Sequence, residues 1–200
     1  MSGTFPSTPT TRSVSISSQQ NTIVSTTVSG RRQSRQIDGQ RFKLTLLFPV
    51  MTRSEFAPIL AFIMKQRSQL ESFQYTPATM ASTNGLATGV ISVAGAVSAG
   101  ATSCSIDGMG NNLTGVFKAG DFFRFTGQPK VYMIVADVSS NGSGAGTLTF
   151  EPPLRANVAD NAVIIYSNVD FTVGLINDVQ EFRVGTENYF QYEVDVIEVL

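Results

Sequence analysis

The stretch Arg31–Val50, RRQSRQIDGQRFKLTLLFPV, joins a basic segment to the first clear strand of the chain. Phe42, Leu44 and Leu46 alternate with polar residues, so one face of the segment is apolar and the other polar. This period of two predicts an antiparallel strand with one buried face. We interpret the basic half before it as a long polar loop between two strands. The first thirteen positions of this stretch contain five of the fourteen Lys and Arg residues of the chain: Arg31, Arg32, Arg35, Arg41 and Lys43.

A second long, one-sided strand is predicted at the other end of the chain, in NYFQYEVDVIEV. Tyr192, Val194 and Val196 would share one face with Phe190, while polar residues such as Glu193 occupy the other. We therefore infer that the two chain ends pair in one domain. Residues 1–77 and 167–200 would form this discontinuous β domain, and residues 78–166 an inserted small β domain.

One helix is predicted in MTRSEFAPILAFIMKQRSQLESF. Thr52 and Glu55 have the spacing of a capping box, in which side chains bind the free backbone N–H groups at a helix start. The apolar residues that follow recur at i, i+3, i+4 and i+7, which predicts one buried stripe. Pro58 fits best if the helix begins near Ser54 or Glu55. The stripe consists of Phe56, Ile59, Leu60 and Ile63.

The middle of the chain, rich in Gly, Ala, Ser and Thr, contains about six short apolar segments at hairpin spacing, which favours a compact barrel or small sandwich. Its single cysteine, Cys104, lies in an alternating apolar segment and is expected to be a buried small hydrophobe. Residues 1–11, MSGTFPSTPTT, are small, polar and contain proline. They are expected to be a loose arm, or one that becomes ordered only on a neighbouring molecule.

Composition argues against catalysis. The chain has no histidine, which removes histidine-based nucleophilic and metal sites, and no catalytic motif replaces them. We expect no enzyme activity, no cofactor and no metal, and no apolar run is long enough to span a membrane. Residues 1–75 hold nine basic and three acidic residues, and residues 76–200 five basic and twelve acidic. This split fits either contact between copies of the chain or a simple difference between two domains.

The basic segment has three interpretations. Its cations could follow phosphates of a nucleic acid, but no interleaved aromatic residues or recognition helix support this. It could be a merely solvated hairpin. The favoured prediction is a subunit interface, in which Arg31, Arg32, Arg35, Arg41 and Lys43 meet carboxylates of an adjacent copy. A separate possibility is a carbohydrate- or receptor-binding face made by Phe122, Phe123, Tyr132 and Tyr166.

Two segments resemble tail proteins of long-tailed, siphovirus-like bacteriophages, particularly distal tail or minor tail proteins. GQRFKLTLLFPVMTRSEFAPILAFIMKQRSQLESF, residues 39–73, resembles their strand–helix–strand segment. Residues 118–166 are similar to a small β-module of phage structural proteins, with GDFF, KVY and EPPLR as its core. The resemblance implies a mainly β fold: a tail-tube-like β-sandwich or barrel with one flanking α-helix, plus an inserted small β-barrel-like domain.

The same resemblance implies a structural virion protein at the distal end of the tail. It would form a homohexameric ring that joins the tail tube protein to the tail hub, tip or baseplate proteins. DNA would only pass through its channel, and assembly would take place in the host bacterial cytoplasm. A tail-tube or neck protein, or a carbohydrate- or receptor-binding module of the tail, is the alternative.

Overall fold

The computed structural model describes residues 2–185 and 189–200. It confirms a mainly β fold with one α-helix. In chain order the elements are β1 (Ser13–Thr26), β2 (Arg32–Leu47), α1 (Arg53–Lys65), a 3₁₀ turn (Ser68–Leu70), β3 (Ser72–Tyr75), β4 (Ser92–Val93), β5 (Ser103–Asp107), β6 (Phe122–Phe125), β7 (Val131–Ile134), β8 (Gly146–Glu151), β9 (Ile164–Ile165), β10 (Phe171–Leu175), β11 (Phe182–Val184) and β12 (Phe190–Glu198).

The chain divides into two compact units. We call Met1–Phe73 with Val173–Val199 the terminal domain, and Gln74–Thr172 the inserted domain. The division into residues 1–77 with 167–200 and residues 78–166 stays a prediction from the sequence.

The terminal domain is built on a sheet in which the two ends of the chain pair. Its strand order is β1-β2-β12-β10-β3, with β11 on β12. β2 and β12 are antiparallel, and Leu46 lies opposite Val194. The apolar faces predicted from the alternation are buried, with both of these residues at most 2% exposed. The buried Glu198 carboxylate near the end of β12 accepts the Phe42 N–H at 3.1 Å, so even the charged end of the strand is tied to β2.

Helix α1 covers this sheet with the predicted stripe. Phe56, Ile59 and Ile63 are buried, and the Phe56 ring lies 5.0 Å from that of Phe190. The cap is formed: the Thr52 N–H and hydroxyl both donate to Glu55 Oε2 at 2.8 Å. Two details differ from the sequence prediction. Leu60 is only half-buried, and the helix begins at Arg53, which places the exposed Pro58 in the second turn.

The N-terminal segment is anchored, so the expectation of a loose arm was wrong. The Ser2 N–H donates to the Ser72 carbonyl at 2.8 Å, adding the segment to β3. Phe5 is 6% exposed and lies among three aromatic rings, those of Phe48, Phe62 and Phe73. One buried aromatic residue therefore fixes a segment whose composition is otherwise that of a disordered tail.

The inserted domain is a small six-stranded sheet that curls into a nearly closed barrel. Its order is β4-β5-β8-β7-β6-β9, and a bridge between Ser92 and Val163 brings the two edges together. Large apolar residues fill the interior, among them the fully buried Phe123, Phe150 and Tyr132. The barrel confirms the expected small β domain, and Cys104 is part of its core.

A buried carboxylate, that of Asp121, organises one loop of the barrel. It accepts the N–H groups of Asn84 at 3.0 Å and Lys118 at 2.9 Å, and the hydroxyl of Thr83. Gly85 follows this loop and lies against the Val116 carbonyl, where an added Cβ would come within 2.1 Å of the oxygen. The segment 83–85 therefore fits only with a glycine at its end.

Candidate assembly interface

The basic segment is part of a two-stranded hairpin and not a polar loop, so this expectation was wrong. β1 and β2 pair antiparallel, and outer pairs run from Asn21 opposite Ile37 to Thr26 opposite Arg32. The turn is tight: the Thr27 N–H donates to the Arg31 carbonyl at 3.0 Å. Every residue from 17 to 39 is exposed. We call residues 17–39 the hairpin arm.

A bulge separates the arm from the part of the hairpin that packs on the core. The register shifts between Gln19 and Asn21, and Gly39 on the other strand has a φ of 112°. That backbone conformation is open to glycine and strained for other residues. The next residue, Gln40, is buried and donates to the Ser18 hydroxyl at 2.8 Å. The arm therefore begins where the buried face ends.

The five predicted interface residues are distributed along this hairpin. Arg31 lies at the turn, and Arg32 and Arg35 lie on opposite faces of β2, since side chains alternate along a strand. Arg41 lies opposite Gln19 beside the bulge. Within residues 2–185 and 189–200, the side chains of these four arginines make no ion pair. The structure therefore spaces these arginines along the hairpin and does not gather them into one cluster.

Lys43 differs from the four arginines because it already has a partner in its own chain. Its Nζ lies 3.3 Å from Asp195 Oδ2, with the two side chains 37% and 31% exposed. The Thr45 hydroxyl donates to the other oxygen of the same carboxylate at 2.5 Å. A half-exposed pair of this kind stabilises the sheet only slightly. Lys43 thus joins β2 to β12.

Sequence reasoning about charge missed the apolar part of the arm. Ile23 is 57% exposed, Val24 46% and Ile37 44%, and Val28 at the tip is fully exposed. Ile23 lies opposite Arg35 and shares its face with Ile37. Ile23 and Val24 are adjacent, so they lie on opposite faces of β1 and both faces of the arm carry an aliphatic residue. Exposed aliphatic residues on an element with no core are typical of an interaction surface.

The charge asymmetry lies within the terminal domain. Residues 1–73 hold nine basic and three acidic residues, a net charge of +6. Residues 173–200 hold one basic and six acidic residues, a net charge of −5. Both stretches belong to one compact unit, so the asymmetry is not a simple difference between two domains. The N-terminal part of the terminal domain is therefore basic, and its C-terminal part is acidic.

The proposed aromatic binding face of the inserted domain does not exist as such. Phe122, Phe123 and Tyr132 are at most 4% exposed. Phe123 and Tyr132 lie in the barrel core, and the Phe122 ring packs against that of Phe171, 5.6 Å away. Tyr166 is half-buried against the Phe117 ring, and its hydroxyl donates to the Gly89 carbonyl at 2.7 Å. These four aromatic residues are therefore structural.

The Cys104 thiol is buried in the core of the inserted domain. Burial raises the pKa of the Cys104 thiol to about 12, which makes it a poor nucleophile. No group of three or more His, Cys, Asp and Glu residues able to hold a metal ion occurs among the residues described. In the same part of the chain, no helix is long and apolar enough to cross a membrane.

Comparison with known proteins finds a match within the inserted domain. Residues 83–169 match the family model of the B domain of distal tail protein pb9. These residues span the loop organised by Asp121 and the whole barrel. The comparison with curated proteins found no match. Residues 83–169 of the inserted domain are therefore similar to the B domain of distal tail protein pb9, and this match supports a structural protein of the phage tail.

Proposed function

We propose that this structural protein of the phage tail forms a ring through its terminal domain. The ring has six copies, as in the family of tail proteins that the sequence resembles. The ring joins the tail tube to the tip or baseplate and leaves a channel for DNA. The observation that carries this proposal is the hairpin arm, a two-stranded extension with no core on either face. An isolated two-stranded hairpin is at best marginally stable in water, so a second molecule would complete it.

The edges of the sheet support the same proposal. β1 is an outer strand of the sheet and is 14 residues long, whereas β3 at the other edge has four residues. A long edge strand presents unpaired N–H and C=O groups that add readily to another chain. In a ring, neighbouring copies occupy such edges in a closed series and prevent open-ended aggregation.

The basic residues of the arm give the ring contact its charge. Arg31, Arg32 and Arg35 outnumber Asp38, which is the one acidic residue of the arm. Their partners in an assembly are carboxylates of the adjacent copy, and Arg41 lies at the base of the same surface. We keep Lys43 as a secondary contact, since it also pairs with Asp195.

The test compares two variants with equal changes in charge. The arm variant is R31E/R32E/R35E. The control R12E/K65E/R67E changes three exposed cations of the terminal domain outside the arm. Native mass spectrometry and negative-stain microscopy at physiological salt should show six-membered rings for the wild type and the control, and monomers for the arm variant.

Circular dichroism should show the arm variant to be folded, because the three substituted arginines are exposed. A wild-type protein that is monomeric at every concentration would refute the proposal. So would a charge-reversed arm that still forms rings at physiological salt.

A further inference from the structure

A groove in the terminal domain runs along the polar face of β12 beside β11. Its volume is about 460 Å³, and it is lined by Leu47, Val179, Glu181, Arg183, Glu193 and Asp195 among others. Three of these residues are acidic and one is basic. The polar face of β12 was predicted from its alternation, but the approach of β11, which gives the surface its depth, was not.

The carboxylates of the groove differ in what they already bind. Asp195 is held by Lys43 and Thr45, and Glu181 lies 3.6 Å from Arg183, with both side chains more than three-quarters exposed. Glu193 is exposed and has no ion pair within the described part of the chain. An incoming cation would therefore find Glu193 available without displacing another partner.

The arm of the same chain cannot reach this groove. β2 pairs with β12 so that Leu47 lies opposite Glu193 and Lys43 opposite Ile197. The groove is thus at the end of β2 where the strand finishes, and the arm extends from the other end. Twelve residues separate Leu47 from Arg35, which is about 40 Å along an extended strand. A second copy must supply an arm that enters the groove.

We propose, on the basis of the ring described above, that the hairpin arm of one copy docks in the β11–β12 groove of the next. Arg35 pairs with Glu193. Ile23 and Ile37, which flank Arg35 on its face of the arm, lie against Leu47 and the 81%-exposed Val179. The contact uses two different surfaces of each copy, so it is heterologous and closes into a ring when the rotation permits.

Charge distinguishes this groove from a second groove in the terminal domain. The second groove has a volume of about 660 Å³ and is lined by Arg53, Phe56, Ala57, Leu60, Ala61 and Phe190. Arg53 is the one charged residue in that lining, and it would repel the arginines of the arm. The acidic groove is therefore the complementary surface for a basic arm.

Engineered disulfides locate the docking site directly. In the full-length protein, R35C is combined with E193C or, as the matched alternative, with A57C in the second groove. The native Cys104 is buried and does not compete. Mild oxidation of R35C/E193C should give a ladder of covalent oligomers up to the size of the ring, while the single substitutions R35C and E193C give no ladder.

A charge swap provides an independent measurement. R35E and E193R should each weaken assembly by at least tenfold in concentration, and R35E/E193R should recover most of it. Two results would overturn the assignment of the groove without refuting the ring. One is a disulfide in R35C/A57C and none in R35C/E193C. The other is a wild-type ring in a protein whose R35C/E193C variant forms no disulfide and whose R35E/E193R variant does not recover assembly. A wild-type protein with no oligomer would instead refute the ring itself.

Discussion

The anchoring of the N-terminal segment by Phe5 leads to a quantitative prediction for the F5A variant. The Phe5 ring is 6% exposed, 5.3 Å from the Phe62 ring and 5.8 Å from those of Phe48 and Phe73. Truncation of a buried phenylalanine to alanine costs about 3–5 kcal/mol. We expect about 3 kcal/mol here, because a segment near the chain end can move to fill part of the space.

Amide hydrogen exchange measures this loss in each domain separately. The slowest amides exchange through unfolding of the unit that contains them. A loss of 3 kcal/mol should accelerate exchange roughly 100-fold in peptides that cover β2 and β12. Peptides from β5 and β8 in the inserted domain provide an internal reference, and their exchange should not change.

Two further variants make the test of Phe5 specific. F5L keeps most of the buried volume and should cost about 1 kcal/mol. S7A changes an exposed residue of the same segment and should cost nothing measurable. If F5A accelerates exchange in the β2 and β12 peptides by less than threefold, the segment does not anchor the terminal domain and the reasoning fails.

Three other predictions concern single residues. G85A should destabilise the inserted domain by about 1–3 kcal/mol in thermal unfolding, whereas G142A, whose added Cβ would have 3.7 Å of space, should not; equal unfolding temperatures would contradict this. At pH 8 iodoacetamide should not alkylate Cys104 until urea is added, because burial raises its pKa to about 12 and leaves a thiolate fraction of about 10⁻⁴; native labelling would show the thiol to be accessible. Hydrogen bonds from Thr52 lower the pKa of Glu55 below 4.5, so its capping of α1 is present at neutral pH and is lost only as the pH falls through the lowered value; an NMR titration midpoint at or above 4.5 would exclude this.

Local patterns made much of the terminal domain predictable. The Thr52–Glu55 cap and the stripe from Phe56 to Ile63 depend on residues within one or two helical turns, and the sequence contains all of that information. The buried faces of β2 and β12 were equally clear, because a strand with one face on a core must alternate. The same alternation indicated that the two strands could pair.

The arm and the N-terminal anchor were missed for physical reasons. A hairpin exposed on both faces has no burial pattern, so residues 32–39 have the composition of a loop even though they are part of β2. Phe5 is one aromatic residue in a polar segment, and its burial depends on Phe48, Phe62 and Phe73, which are distant in sequence. The groove beside Glu193 was likewise hidden, since its depth comes from a strand that sequence periodicity does not place.

The position of the insertion has a consequence for how such proteins diversify. The inserted domain begins within β3 and ends within β10, and these two strands are neighbours in the sheet of the terminal domain. A chain that leaves and re-enters a sheet at adjacent strands needs only a short bridge if the module between them is removed or exchanged. Replacement of the inserted domain by another module would therefore leave β3 and β10 unchanged.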